Sequence, residues 1–171
     1  MSDYSFGVSL PLRPRKRLVY ACCCVALALA AGPASAQSKP PIAGRDVFTG
    51  KTIGLAQFRG KPVFVNVWGS WCLGCKAEAR TLARFAKSHE RQVAFLGIDT
   101  EDSKAGARAF YKRFDTEYPS IWDPRGILAG AWSRGTPTTL VFDRRHVFVT
   151  RIEGSTTLAQ LNAALRKVTR A

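Results

Sequence analysis

Cys72 and Cys75 are the two residues whose type and spacing are best suited to chemistry. Only Leu73 and Gly74 separate them, and two neighbouring thiols can cycle between a dithiol and a disulfide. In such a cycle one thiolate attacks a disulfide of another molecule, and the second sulfur resolves the mixed disulfide. The spacing therefore predicts thiol–disulfide exchange at these two residues.

The residues around the pair indicate how the two sulfurs differ. The apolar run over residues 63–68 predicts a strand that is buried on both faces, and helix-forming residues dominate from Cys72 to about Lys87. A cysteine at a helix N-terminus faces unpaired backbone N–H groups and the positive end of the helix dipole, which lower its pKa. We therefore expect Cys72 to be the attacking and more exposed sulfur and Cys75 to be the resolving sulfur.

Three other uses of the cysteines are open at this point. A structural disulfide over so short a loop would constrain the unfolded chain very little. A zinc ion would need further ligands, but His89 and His146 lack ligand spacing to each other and are expected to be solvated surface residues, so we expect no metal site. Two thiolates could hold Cu(I), although the chain has no methionine or histidine cluster and its one methionine is Met1.

The N-terminal residues have the composition of an export signal. A cationic stretch over residues 13–17 precedes an apolar run over residues 18–31, and the Ala-Ser-Ala sequence of residues 34–36 offers a cleavage site. We expect residues 1–36 to be a cleaved signal peptide, with an uncleaved membrane anchor as the alternative. A lipoprotein cysteine within residues 22–24 is a third interpretation.

Export would place the domain in an oxidising compartment, the periplasm. Removal of residues 1–36 takes away three of the five cysteines and leaves only Cys72 and Cys75. A lone pair of cysteines in an exported chain is a disulfide candidate. The proline-containing residues 37–45 are expected to form an extended tether, and residues 46–171 a single domain.

The chain is strongly basic, with 26 Lys and Arg against 12 Asp and Glu and a formal net charge of +14. Nucleic acid, anionic lipid and acidic proteins could all bind such a surface. No nucleic-acid-binding motif accompanies the charge, and export argues against nucleic acid as a partner. We therefore expect the basic surface to favour an anionic membrane surface or an acidic partner protein.

Apolar periodicity predicts three further strands and two further helices. The strands are expected over residues 93–99, 139–142 and 147–149, and the helices over residues 104–114 and 158–168. Asp102 or Ser103 would cap the first of these helices. A βαβ half followed by a ββα half predicts an α/β fold with a central mixed β-sheet and helices on both faces.

Two stretches resemble the thioredoxin superfamily, specifically the exported branch that includes the TlpA, ResA and DsbE proteins. They are residues 65–75 (VNVWGSWCLGC), with Trp71 directly before the first cysteine, and residues 135–139 (GTPTT). The resemblance extends over residues 40–169. It implies a thioredoxin fold and a thiol–disulfide oxidoreductase whose two cysteines form a redox disulfide, and we expect no cofactor.

The resemblance also assigns roles to individual residues. Pro137 matches the cis-proline of the family, and the backbone of Thr136 would pair with an incoming substrate strand. Asn66 stands where cytoplasmic thioredoxins have a buried aspartate. Glu78 matches a glutamate of the exported branch, and burial near two sulfurs would raise its pKa and let it move protons during exchange. The alternative for Glu78 is a solvated glutamate on the helix surface.

Two positions depart from the pattern of the exported branch, and a third argues against a related enzyme class. Gly74 stands where the exported reductases usually have proline, and Arg80 replaces a helix proline of that branch. Glycine loosens the first turn of a helix, so the reduction potential cannot be carried over from the family. Gly69 occupies the position where peroxidases need threonine, which argues against a peroxidase.

The expected function is the reduction of protein disulfides outside the cytoplasm. The resemblance implies the cysteines of apocytochrome c and of copper sites as substrates. The electrons would come from a membrane donor, because the compartment itself is oxidising. Two alternatives are kept: an oxidase or isomerase of folding proteins, and a non-enzymatic module that binds Cu(I) or a partner on a thioredoxin scaffold.

Overall fold

The part of the chain that this computed structural model describes, residue 7 and residues 39–170, contains both strands and helices. The strands are β1 (Ala43–Arg45), β2 (Thr52–Gly54), β3 (Val63–Trp68), β4 (Ala94–Thr100), β5 (Ser120–Asp123), β6 (Thr138–Phe142) and β7 (Phe148–Glu153). The helices are α1 (Leu73–Ser88), α2 (Lys104–Phe114), α3 (Ile127–Trp132) and α4 (Leu158–Thr169), with a short 3-10 helix over Leu55–Phe58. None of these helices is long and apolar enough to cross a membrane. The predicted signal peptide lies, apart from residue 7, outside the described residues.

Five strands form one mixed sheet in the order β5-β4-β3-β6-β7. β3 is parallel to β4 and β4 is parallel to β5, whereas β6 is antiparallel to both β3 and β7. β1 and β2 form a separate antiparallel pair. The predicted α/β fold with a central mixed sheet is confirmed.

The central strand β3 is buried over its whole length and divides its side chains between the two faces of the sheet. Its three valines pack in one cluster with apolar residues of β4 and α3. On the opposite face, Phe64 packs with α1 and α4, and Trp68 packs with α1 and α2. Helices therefore cover both faces, as predicted.

The extended tether predicted for residues 37–45 is wrong at its C-terminal end. Ile42 is buried in the core, and residues 43–45 pair with β2. The indole N–H of Trp132 also donates to the carbonyl oxygen of Pro40 at 2.9 Å. Burial of Ile42 orders a segment that is too short to show a strand pattern, so the domain begins earlier than predicted.

The predicted strands and helices are present close to their predicted positions, whereas four short elements (β1, β2, β5 and α3) were missed. Ser103, one of the two predicted caps of α2, accepts a hydrogen bond from the Gly106 N–H. β7 continues to Glu153, beyond its predicted end at residue 149. β5 was not predicted because its end residues, Ser120 and Asp123, are polar, and α3 was not predicted because its six residues span fewer than two helical turns.

Gly97 in β4 leaves room for a hydrogen bond across the sheet. The Trp68 indole N–H donates to Ser120 Oγ at 3.0 Å. A Cβ atom at residue 97 would lie 2.8 Å from Trp68 Nε1 and 2.8 Å from Ser120 Cβ. Both neighbours are buried, so neither can move aside without disturbing the core.

Gly97→Ala should therefore destabilise the fold by about 1–3 kcal/mol, the usual cost of overpacking a core. Denaturation followed by tryptophan fluorescence measures this change. Gly130→Ala is the matched control, because its added Cβ would meet no atom within 4 Å outside its own helix backbone and chain neighbours, and alanine favours the helix. Equal stabilities of the two variants would contradict the packing argument.

Candidate active site

The disulfide between Cys72 and Cys75 closes the first turn of α1. Cys72 is the N-cap residue of the helix, and its Sγ accepts a hydrogen bond from the Cys75 N–H at 3.1 Å. A thiolate at this position would receive the same N–H and the positive end of the helix dipole. Both residues are buried, with 4% of Cys72 and 1% of Cys75 exposed, so Cys72 is the more accessible of the two.

Asp102 holds the loop that precedes Cys72. Its carboxylate accepts hydrogen bonds from the Ser70 N–H at 2.6 Å and from the Ser70 hydroxyl at 2.9 Å. The Trp71 indole N–H donates to the carbonyl oxygen of Thr100 at 3.2 Å, while half of the Trp71 surface stays exposed. Two anchors therefore fix this loop, and the one at Asp102 was not predicted.

Glu78 is a buried carboxyl group about one helical turn after Cys75. Asn66 Nδ2 donates to Glu78 Oε1 at 3.0 Å, and the Thr156 N–H donates to Glu78 Oε2. Asn66 Nδ2 also lies 3.3 Å from Thr139 Oγ1. Burial raises the pKa of Glu78, while the hydrogen bonds from Thr156 and Asn66 oppose this rise. Glu78 is thus buried and bonded to Asn66, and is not a solvated surface glutamate.

The Thr136–Pro137 peptide bond is cis, and Pro137 packs against the first turn of α1. A Cβ atom at Gly74 would lie 3.0 Å from Pro137 Cδ and 2.9 Å from Ser155 Oγ. The Ser155 hydroxyl donates to the carbonyl oxygen of Gly74 at 3.1 Å. Gly74 therefore permits two loops to approach the disulfide closely, whereas its sequence context indicated only a looser helix turn.

Asp99, at the end of β4, is a buried carboxyl group that the sequence does not single out. None of its surface is exposed, and neither of its oxygens has a hydrogen-bond partner. Burial raises the pKa of Asp99 to about 8, and the negative charges of Asp102 and Asp123 add to the rise. The signal in the sequence was a charged residue at the end of the apolar run 93–99.

His89 and His146 are half-buried and are not the solvated side chains that we expected. A ring nitrogen of His89 lies 3.0 Å from the carbonyl oxygen of Phe85, and one of His146 lies 3.2 Å from that of Phe58. The His89 ring also stacks on Phe85. Between residues 39 and 170, no group of three or more His, Cys, Asp or Glu side chains is placed to hold a metal ion.

A mixed sheet, a disulfide at the start of α1 and a cis-proline packed against it define a thiol–disulfide oxidoreductase of the thioredoxin type. The chain belongs to the AhpC/TSA family, whose profile matches residues 37–152. This membership confirms the predicted relation to thioredoxin-like proteins.

Known proteins similar to this chain include enzymes of the same class. The chain is 32% identical over 122 residues to "Thiol-disulfide oxidoreductase ResA" of Bacillus cereus, with 70% of each chain covered. A secreted thiol-disulfide isomerase from Corynebacterium glutamicum has a TM-score of 0.71 and 26% identity, over 78% of this chain and 86% of that one. A DsbF homologue from Corynebacterium diphtheriae has a TM-score of 0.68 and 29% identity, over 74% and 83%. The thioredoxin fold and the predicted enzyme class are thereby confirmed.

Asp99→Asn should change how stability depends on pH. The ordinary pKa of an aspartate, 3.8, applies to the unfolded chain, whereas the folded value is about 8. As the pH rises between these values, the unfolded state loses the proton first, so the folded state becomes less stable. Asparagine removes this loss. We expect the variant to be more stable than the wild type at about pH 8 by on the order of a few kcal/mol, with little difference near pH 4.

Guanidinium denaturation at a series of pH values measures this difference. Asp115→Asn is the matched control, because Asp115 is exposed and asparagine tolerates its left-handed backbone. The effect of the control should not grow with pH. A stability difference for Asp99→Asn that stays constant across the pH range would contradict a buried neutral carboxyl group.

Proposed function

We propose that the chain is an exported reductase of protein disulfides and that Cys72 and Cys75 are its redox residues. One observation carries the proposal: Cys72 is the N-cap of α1, where its sulfur accepts a helix N–H, and Cys75 lies behind it within disulfide reach. Helix N–H groups stabilise a thiolate over a thiol. Cys72 is therefore suited to attack and Cys75 to resolve.

The reduced pair would act in two steps that transfer two electrons to the substrate. The Cys72 thiolate attacks one sulfur of a substrate disulfide, which forms a mixed disulfide and releases the other substrate sulfur as a thiolate. Cys75 then loses its proton and attacks Cys72 Sγ. The second substrate thiolate leaves and is protonated, and the enzyme retains the Cys72–Cys75 disulfide that the structure contains.

Glu78 is the group that we assign to the Cys75 proton. It lies on the same face of α1, and burial raises its pKa toward the range in which a carboxylate accepts a proton from a thiol. The amide of Asn66 holds one carboxyl oxygen and the Thr156 N–H holds the other. These two hydrogen bonds therefore hold the carboxyl group in one orientation while it gains and loses a proton.

The substrate would lie across the loop that contains Pro137. Within residues 39–170 no hydrogen bond engages the backbone of Thr136, so its N–H and C=O are free to pair with an extended segment. Trp71 and Leu73 are large apolar residues beside the disulfide, with 50% and 81% of their surfaces exposed. Such a surface suits an unfolded segment of a protein substrate.

The proposed location is the periplasm, with the domain either free or held at the outer face of the inner membrane. The export signal in the sequence and the secreted relative from Corynebacterium glutamicum support this location. The proposed substrates are the cysteines of apocytochrome c or of copper sites, and the proposed electron donor is a membrane protein. Exposed Arg144, Arg145 and Val147 in the turn before β7 support association with an anionic membrane surface.

An oxidase or isomerase of folding proteins is the second candidate. The similar structure from Corynebacterium glutamicum is named an isomerase. The exposed Trp71 and Leu73 would also suit folding substrates. The direction of electron flow separates the two candidates.

The reduction potential of the Cys72–Cys75 pair should be near or below about −270 mV, the value of thioredoxin. Equilibration with dithiothreitol or glutathione buffers, followed by alkylation of free thiols, measures it. A value near about −120 mV would make the protein an oxidase. If no reversible exchange occurred at all, the non-enzymatic Cu(I)- or partner-binding module would replace the enzyme.

Glu78→Gln should slow the resolution of the mixed disulfide, because the variant cannot accept the Cys75 proton. We expect resolution to be about 100-fold slower at neutral pH, the lower end of the usual effect of a general base. Mass spectrometry of quenched reactions with a disulfide-containing peptide measures the adduct on Cys72, which Cys75→Ser should trap fully.

Glu90→Gln is the matched control for this experiment, because Glu90 is exposed and follows the end of α1. It should resolve the adduct at the wild-type rate. Resolution by Glu78→Gln at that same rate would remove Glu78 from the proton transfer, while leaving the redox role of the cysteines intact.

A further inference from the structure

Asp99 occupies a central position that the proposed reaction leaves without a role. It is the residue of β4 that pairs with Trp68 of β3 and with Trp122 of β5, at the edge of the sheet from which the Cys72 loop departs. It is wholly buried and its two oxygens have no hydrogen-bond partner. Natural proteins rarely bury an unpaired carboxyl group, so this one requires an explanation.

The groups that face Asp99 come from three neighbouring elements. Asp102 follows β4, Asp123 ends β5, and Tyr111 lies on α2 with its own hydroxyl unpaired. The ammonium group of Lys104 lies 4.4 Å from the centre of the Trp122 ring and makes no ion pair with Asp99. Among the described residues, the salt bridges join Lys87 to Glu117 and Arg145 to Asp143 and do not involve Asp99.

Asp102 connects Asp99 to the redox loop. As carboxylates, both groups are only acceptors, so no hydrogen bond joins them when both are ionised. Asp102 lies three residues after Asp99, and its carbonyl oxygen accepts the indole N–H of Trp122, the β5 partner of Asp99, at 3.1 Å. A proton on Asp99 would make that group a donor toward the Asp102 carboxylate, and this interaction would favour the protonated form. Asp102 in turn accepts the N–H and the hydroxyl of Ser70, two residues before Cys72.

We propose that Asp99 is a positioning residue that shares its proton with Asp102 and thereby stabilises the Asp102–Ser70 contact. Ionisation of Asp99 then loosens the loop before Cys72 and alters the rate of disulfide exchange. Only the last step rests on the proposed function. Below the midpoint of the Asp99 titration the pair carries one negative charge and the loop is held. Above the midpoint the carboxylates of Asp99 and Asp102 are both negative in a buried site, and their repulsion weakens the hydrogen bonds between Asp102 and Ser70.

The Ser70 amide reports on the loop without any reference to activity. In the oxidised full-length protein, its 1H and 15N chemical shifts should titrate with a midpoint near pH 8 when the pH is raised from about 6 to about 10. Asp99→Asn should abolish this titration, because the asparagine amide donates to Asp102 at every pH. Asp115→Asn, the exposed control, should titrate like the wild type.

The exchange rate provides the second measurement. Dithiothreitol reduces the disulfide at a rate that is measured in the wild type and in Asp99→Asn at the same pH. The ratio of these two rates does not depend on the titration of the dithiothreitol thiols, because that titration affects both rates equally. This ratio should be constant below about pH 7 and change about two- to tenfold by about pH 9.5, the range expected for coupled residues in contact. Asp102→Asn should shift the midpoint to lower pH, because it removes the negative neighbour of Asp99.

Each result decides one step of the proposal. If the chemical shifts of the Ser70 amide do not titrate, or titrate equally in Asp99→Asn, the inference that Asp99 and Asp102 share a proton is wrong. Titration of Ser70 with a constant rate ratio would overturn the link to exchange. If the disulfide failed to exchange with any thiol, the proposed function would fall, while the Ser70 titration would still test the role of Asp99.

Discussion

The direct passage from the end of β3 to the start of α1 is the constraint on which the site depends. All six residues of β3 are buried, and the strand lies between β4 and β6 at the centre of the sheet. The strand cannot shift along its axis without removing its side chains from their packed positions on both faces of the sheet. The loop of residues 69–71 and the first turn of α1 therefore have fixed positions. Because Cys72 is the residue that meets the first free helix N–H groups, core packing determines the electrostatics of its sulfur.

Two buried carboxyl groups lie near this junction, and their surroundings differ. Glu78 accepts hydrogen bonds from Asn66 and Thr156, which lower the cost of its charge and partly offset its burial. Asp99 has no donor and faces the negative charge of Asp102. The first group is therefore suited to exchanging a proton during a reaction, and the second to retaining its proton at neutral pH. Burial alone does not define the role of an acid, because its neighbours decide which form persists.

The sequence could predict those parts of the molecule whose structure is determined by residues that are close together in the chain. A long apolar run specifies β3, and Cys72, Cys75 and Glu78 lie within one short segment. β5 could not be predicted, because Ser120 and Asp123 are polar although both are buried. Their burial depends on distant partners, such as the Trp68 indole that donates to Ser120.

The same reason explains why Asp99 and Asp102 were not recognised in the site. Asp102 has the sequence context of a helix cap, and only the fold brings its carboxylate to Ser70. Gly74 was interpreted as a loose point in α1, yet Pro137 and Ser155 crowd the space beside it. Ser155 bonds to Gly74, and the adjacent Thr156 bonds to Glu78. The disulfide, the cis-proline loop and the buried glutamate are thus connected by contacts between the first two turns of α1 and residues 137, 155 and 156, which lie far from α1 in the sequence.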